Sequence, residues 1–258
     1  MCCRPPAPAK PADTCLVKLP GYSCTSLISA AAPVAILLFA RSAGQEAAHK
    51  RFVSHGKAGA NVRAAAQLTA HAAATARQLG VDFLHVDSRQ QRGRTFGERL
   101  AGAMQQAFAA GYEHLLVIGN DCPQLNLLLL RQALAALQKN GSVIGPATDG
   151  GVYLLGVART RFDPDTWATL PWQTASLGKV LAAELARTGV KHGPGLPALP
   201  DVDNEQDLAR VLRQALPRRL QRALRQLRQT PIPAYRPRPT APEAAWRAAH
   251  PHRGPPGS

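Results

Sequence analysis

Val34-Ala-Ile-Leu-Leu-Phe-Ala40 is an unbroken apolar run, the pattern of a β-strand covered on both faces. Even taken from Ala30 to Ala40, the apolar run is too short for the ~20 residues that span a bilayer. It also follows a polar, proline-rich lead, where a secretory signal would need a short basic start and a small-residue cleavage site. A first buried strand is therefore expected, in a cytoplasmic protein with no membrane span.

Downstream the chain alternates between two periods. A polar stretch with Gly44, His49, Lys50 and Arg51 leads into an alanine-rich segment, residues 59–79, whose composition predicts a helix stopped at Gly80. Asp82-Phe-Leu-His-Val-Asp87 reads as a second strand. Residues 95–110 put Phe96, Leu100, Met104 and Phe108 on one helical face. His114-Leu-Leu-Val-Ile118 is a third strand, ending at Gly119-Asn-Asp121. Pro123 then breaks the chain before a helix over residues 125–139. Ser142-Val-Ile-Gly-Pro146 and Val152-Tyr-Leu-Leu-Gly-Val157 flank the turn Asp149-Gly150-Gly151 as a hairpin, so one strand is expected to run antiparallel. A helix near residues 176–188 follows, then a helix from Glu205 with Asn204 as its N-cap. The alternation predicts an α/β domain over residues 32–214, with a mainly parallel sheet covered on both faces.

The ends are different in kind. Of the 22 prolines, Pro5, Pro6, Pro8 and Pro11 crowd the start, and eight lie beyond residue 230. Residues 1–31 and 215–258 are expected to be tails, the first disordered and the second a basic helix followed by a disordered Pro/Arg-rich stretch. The net charge of +15 sits mostly in the second tail: residues 213–258 hold ten arginines and one acid, against +4 for residues 32–212. Arg218, Arg219, Arg222, Arg225 and Arg228 follow helical spacing with Leu220, Leu224 and Leu227 between them. A solvated amphipathic helix is the preferred reading over a nucleic-acid or membrane contact. Four of five cysteines lie in the first 24 residues, without CxxC spacing, which suits reduced thiols better than zinc or disulfides.

In open α/β sheets ligands bind beyond the carboxyl ends of the strands. Asp121 falls there, as a ligand for Mg²⁺ or Mn²⁺ or as a cap for the next helix. Asp201-x-Asp203 is a second acidic pair before a helix, able to share that metal or to cap and solvate. Asp149-Gly150-Gly151-Val-Tyr153 is a loop that lets backbone approach a ligand, or simply a tight hairpin. Arg41, Lys50, Arg51, Arg94 and Arg99 lie near strand ends and could pair with phosphates. Cys122 has no recognisable partner for a nucleophile's role. Neither a P-loop nor a dinucleotide-binding glycine motif occurs.

Five stretches in order, Phe96-Gly-Glu-Arg-Leu100, Val117-Ile-Gly-Asn-Asp-Cys-Pro123, Gly145-Pro-Ala-Thr-Asp-Gly-Gly-Val-Tyr-Leu-Leu-Gly156, Leu170-Pro-Trp-Gln-Thr174 and Asp201-Val-Asp-Asn-Glu-Gln-Asp-Leu208, resemble one family. It is a bacterial group of GT-A-like transferases long catalogued as a domain of unknown function. Some members are labelled arsenosugar-biosynthesis glycosyltransferases, and the group is related to the nucleotidyltransferases of molybdenum-cofactor and 2-phospholactate chemistry. The resemblance implies a three-layer, Rossmann-like GT-A fold, the nucleotide-diphospho-sugar transferase fold, that binds a nucleotide or nucleotide-sugar donor, a divalent metal and a small acceptor. It places Asp121 and Asp203 as metal ligands, with Asp121 and Asp149 in catalysis. Arg41, Lys50, Arg51, Arg99, Gly150, Gly151 and Tyr153 are the expected substrate-binding residues, with no nucleic acid involved. Typical members follow the first strand with Pro-x-Pro-Gly…Lys-Thr-Arg-Leu. This chain has Ala40-Arg-Ser-Ala-Gly-Gln-Glu-Ala-Ala-His-Lys-Arg-Phe52 instead, where only Lys50-Arg51 could stand in. The implied activity is glycosyl transfer, with nucleotidyl transfer or an inactive nucleotide-binding homologue as alternatives.

Overall fold

The computed structural model describes residues 33–54, 59–187 and 195–229. Five strands form one sheet: β1 (Val34–Phe39), β2 (Asp82–Val86), β3 (His114–Ile118), β4 (Ser142–Pro146) and β5 (Val152–Ala158), in the order β2-β1-β3-β5-β4. β1 pairs in parallel with β2 and β3. β5 is antiparallel to both β3 and β4, so it runs against all the rest. The expected hairpin is therefore present, but β5 turns back past β4 and lies between it and β3. Every residue of β1 is buried, as its continuous apolar sequence requires.

Helices cover both faces. On one face, Ile36, Leu38, Phe83, Leu116 and Leu154 pack against α2 (Ala60–Arg77) and α4 (Leu127–Asn140). On the other, Ala35, Leu37, Leu84, Leu115 and Leu155 pack against α3 (Phe96–Ala109), Trp167 of α5 (Pro164–Thr169), and Leu181 and Leu185 of α6 (Leu177–Arg187). The alternation of β1 side chains between the two cores is the period of two that any strand imposes. α3 opens on a capping box in which the Thr95 hydroxyl accepts from the Glu98 amide. α4 is capped by Asn126 and ends on Gly141 in the left-handed region, at φ 72°.

A satellite core extends the body. Phe52 and Val53, the N-terminal half of α2, Val202, α7 (Glu205–Val211) and α8 (Arg218–Gln229) close around Leu68, Leu208, Leu220 and Leu224. α8 is thus not solvated all round. Arg218, Arg219, Arg222 and Arg225 are exposed, while Leu220 and Leu224 are buried, so the packed body continues past residue 214. The cause is burial: a leucine stripe has more to gain against α2 than in water. α1 (Ala43–His49), a short helix in the polar stretch after β1, is a further element. The first expected tail, 1–31, and the Pro/Arg-rich end of the second, from residue 230 on, lie outside the described residues. Among the described residues no helix is long and apolar enough to cross a membrane.

Candidate functional site

A cleft of about 330 Å³ opens at the carboxyl ends of β1 and β3. Because β5 runs antiparallel, its start also lies at this edge, which brings the 149–153 turn to the same opening. The cleft is lined by Arg41, Lys50, Arg99, Asp121, Asp149, Gly151, Tyr153 and Asp203 among the sequence candidates. Arg51 and Gly150 do not line it. Arg51 is exposed and forms a backbone bridge to Asn204. Gly150, at φ +94°, lets the turn pack under the next loop, where a Cβ would run into the Ala175 carbonyl.

Lys50 organises the charged end. Its Nζ lies 2.9 Å from Glu46 Oε1, 2.8 Å from Asp121 Oδ1 and 2.9 Å from Asp203 Oδ1. Glu46 sits one turn earlier in α1, is buried, and also pairs with Arg41 at 3.5 Å. Burial works against the Lys50 charge, but the surrounding carboxylates outweigh it and hold the ammonium well above its ordinary pKa. Neither Asp121 nor Asp203 is a helix cap. Asn126 serves α4, and Asn204 accepts from the Gln206 and Asp207 amides of α7. Both carboxylates are thereby left to the cleft.

Asp121 and Asp203 meet because one segment, residues 199–204, threads between the loops of the site. The Leu199 amide donates to Pro146 O at the end of β4, and the Val202 amide donates to Asp121 O. Asn204 then bridges to Arg51, next to Lys50. Asp201, on the same segment, accepts from the Cys122 thiol at 2.7 Å. Burial, together with the Asp149 and Asp121 carboxylates, pushes its pKa up to about 7, against the opposing hydrogen bond from Cys122. Burial likewise raises the Cys122 thiol well above its usual value, so it is a poor nucleophile. Asp149 accepts from the Gly151 amide at 2.8 Å, which shapes the turn.

The opposite wall is aromatic. Phe39 meets Phe96 edge-on at 5.6 Å, and Phe96 meets Trp172 at 5.8 Å. The Trp172 indole N–H donates to Trp167 O. Gly97 makes this packing possible, because a Cβ there would strike the Ala168 carbonyl and the Trp172 ring. Gln173 follows at φ 61°, the left-handed region that non-glycine residues seldom adopt, and faces the cleft. Glu46, Gln91, Phe96, Trp172 and Gln173 were absent from the sequence candidates for the site, and Asp201 entered only as half of the acidic pair. The acidic pair and the Leu170–Thr174 motif pointed to Asp201, Trp172 and Gln173, but nothing in the sequence pointed to Glu46.

This sheet, with helices on both faces and a charged cleft at its carboxyl edge, has the architecture of the nucleotide-diphospho-sugar transferase fold. A solved structure from Desulfovibrio desulfuricans G20, provisionally described as a nucleotide-diphospho-sugar transferase, matches with a TM-score of 0.66 at 24% identity. The match covers 78% of this chain and 99% of the other, and at that identity it establishes the fold. The chain belongs to the family described as "Uncharacterized protein conserved in bacteria (DUF2064)", whose profile matches residues 40–174, just over half its length. Two structures of Rv0371c from Mycobacterium tuberculosis H37Rv, one in complex with manganese, match at 19% and 20% identity. They cover 72% and 70% of this chain and 100% and 99% of their own, with TM-scores of 0.38 and 0.35, too low to bear on the site. No curated protein matches.

Proposed function

We propose that the protein is a metal-dependent glycosyltransferase that takes a nucleotide-sugar donor and a small acceptor. The observation that carries this reading is the meeting of Asp121 and Asp203 on one cationic point, in a cleft at the carboxyl edge of a nucleotide-diphospho-sugar transferase fold. Two carboxylates already gathered around a positive charge, with oxygen as the only donor atom, suit a hard ion such as Mg²⁺ or Mn²⁺. Among the described residues no set of three His, Cys, Asp or Glu side chains is arranged to hold a metal. Mg²⁺ sites of this class use one or two carboxylates and complete the shell with water and substrate phosphate. Asp121 and Asp203 would hold the ion, and the ion would offset the charge of the donor diphosphate as it leaves.

The chain's own residues supply the rest. Lys50 and Arg41 face the donor phosphates, and Arg99 enters from the side of α3. The Phe39–Phe96–Trp172 wall excludes water and offers a flat apolar surface to a ring. Asp149 lines the cleft and is held by its own turn, which supports a role for it as the base that takes the acceptor's proton.

The test is a calorimetric panel of nucleotides and nucleotide sugars with and without Mn²⁺, followed by product analysis. Metal-dependent binding with release of free nucleoside diphosphate supports the proposal. Release of pyrophosphate would instead assign a nucleotidyltransferase, as in molybdenum-cofactor and 2-phospholactate chemistry, since both reactions use the same site. Absence of any nucleotide binding with metal would mark an inactive homologue, the reading favoured by the altered stretch of residues 40–52.

A further inference from the structure

The three carboxylates around Lys50 differ in one respect that decides what the lysine can do. Glu46 is 3% exposed, whereas Asp121 and Asp203 are 38% and 54% exposed, and the lysine side chain itself is 12% exposed. The partner on the inner side is sealed in, and the two on the outer side face the cleft. All three carboxylates lie within 2.9 Å of the ammonium, and Glu46 holds it through charge alone, because Glu46 Oε1 accepts no hydrogen bond among the described residues. A charge pair with an exposed carboxylate is worth little, while stripping the partner from a buried one costs several kcal/mol. Lys50 is therefore anchored to Glu46 and exchangeable at Asp121 and Asp203.

We propose that Lys50 is the resident counter-ion of the Asp121–Asp203 pair, and that a divalent cation binds by displacing its ammonium from those two carboxylates onto the donor's phosphate. This rests on the metal-dependent reading of the site and adds the order of events to it. When a cation takes Asp121 and Asp203, two N–H donors of a largely buried ammonium lose their partners. Unpaired buried donors are costly, and phosphate oxygens are the acceptors that a diphosphate brings to the same place. The ion and the diphosphate therefore bind with positive coupling through Lys50, and the ion alone binds weakly. The stretch that departs from the family's usual loop supplies both halves of the device, Glu46 and Lys50, at i and i+4.

The decisive variant is Glu46→Gln/Lys50→Met, which removes one positive and one negative charge together. It leaves the net charge of the cleft unchanged and leaves no buried charge unpaired, so it is expected to fold. Mn²⁺ alone, titrated calorimetrically into nucleotide-free protein, should bind the double variant at least tenfold more tightly than the wild type. Lys50→Met alone should shift in the same direction. Arg99→Met, which removes a cleft charge that touches neither Asp121 nor Asp203, should change Mn²⁺ affinity by less than threefold. Equal or weaker Mn²⁺ binding by both lysine variants, with their folds verified by circular dichroism, overturns the proposal while wild-type Mn²⁺–nucleotide binding still upholds the metal reading. If wild type and variants bind no Mn²⁺ even with a nucleoside diphosphate present, the metal reading falls and the exchange falls with it.

Discussion

Asp121 is freed from helix capping by Asn126, so its charge is its contribution. Asp121→Asn keeps the shape of the side chain and removes that charge. Nucleotide binding in Mn²⁺ or Mg²⁺ should fall at least tenfold, about 1.4 kcal/mol, with the melting temperature nearly unchanged. Binding at the wild-type level in a folded variant would remove Asp121 from the metal site. Asp201 makes a different prediction. Its folded pKa is raised to about 7, above the value near 3.9 of an unfolded chain. The native state thus holds this proton more tightly, and the stability it contributes is full below about pH 4 and lost as pH rises through 7. Asn cannot titrate. In metal-free buffer, Asp201→Asn should gain on the order of 1–2 kcal/mol relative to wild type between pH 4 and pH 8, well under the full equivalent because the carboxyl keeps some contact with solvent. Denaturant titrations at both pH values that give the same difference would contradict the assignment. Sequence position put Asp121 and Asp203 at the ligand edge with helix capping as the open alternative, and the family resemblance gave them the metal. Asp201 stood beside them in the sequence, but its near-neutral character comes from burial and from the Asp149 and Asp121 carboxylates, none of which are local.

At the scale of elements, the strands and the long helices follow from apolar runs, periodicity or helix-forming composition, since each buries an apolar face. α1 does not, for a physical reason. Its one buried residue is Glu46, which is held by Lys50 and Arg41 through charge, so no apolar period marks it. The leucine stripe of α8 was legible, but its docking site on α2 was not, because Ala60, Ala64 and Leu68 lie more than 150 positions earlier. Leu224 is fully buried there, and Leu224→Ala should cost about 2–5 kcal/mol in a denaturation experiment. A loss under about 0.5 kcal/mol would show that the helix is held only loosely. Gly97→Ala tests the aromatic wall. The added methyl meets a backbone carbonyl and the Trp172 ring, so a loss of about 1–3 kcal/mol is expected, together with altered tryptophan fluorescence.

Over the whole molecule, the charge that dominates the composition is separate from the chemistry. α8 carries its arginines on a satellite core built with the N-terminal half of α2, while the cleft gathers Glu46, Asp121, Asp149, Asp201 and Asp203 around three basic groups. Ending the chain at residue 214 removes α8 and should lower the melting temperature clearly. Removing residues 1–30 and 229–258, expected from their sequence to be tails, should move it by less than ~5 °C.

The 199–204 segment also acts as a clock. The Val202 amide is buried and donates to the Asp121 carbonyl at 2.9 Å, so its hydrogen can exchange with deuterium only when that segment lifts away from the loop after β3. Lifting separates Asp121 from Asp203. Anything that bridges the two carboxylates must therefore slow isotope uptake at this one position by its own binding factor, whereas a molecule lodged only against the aromatic wall leaves the rate untouched.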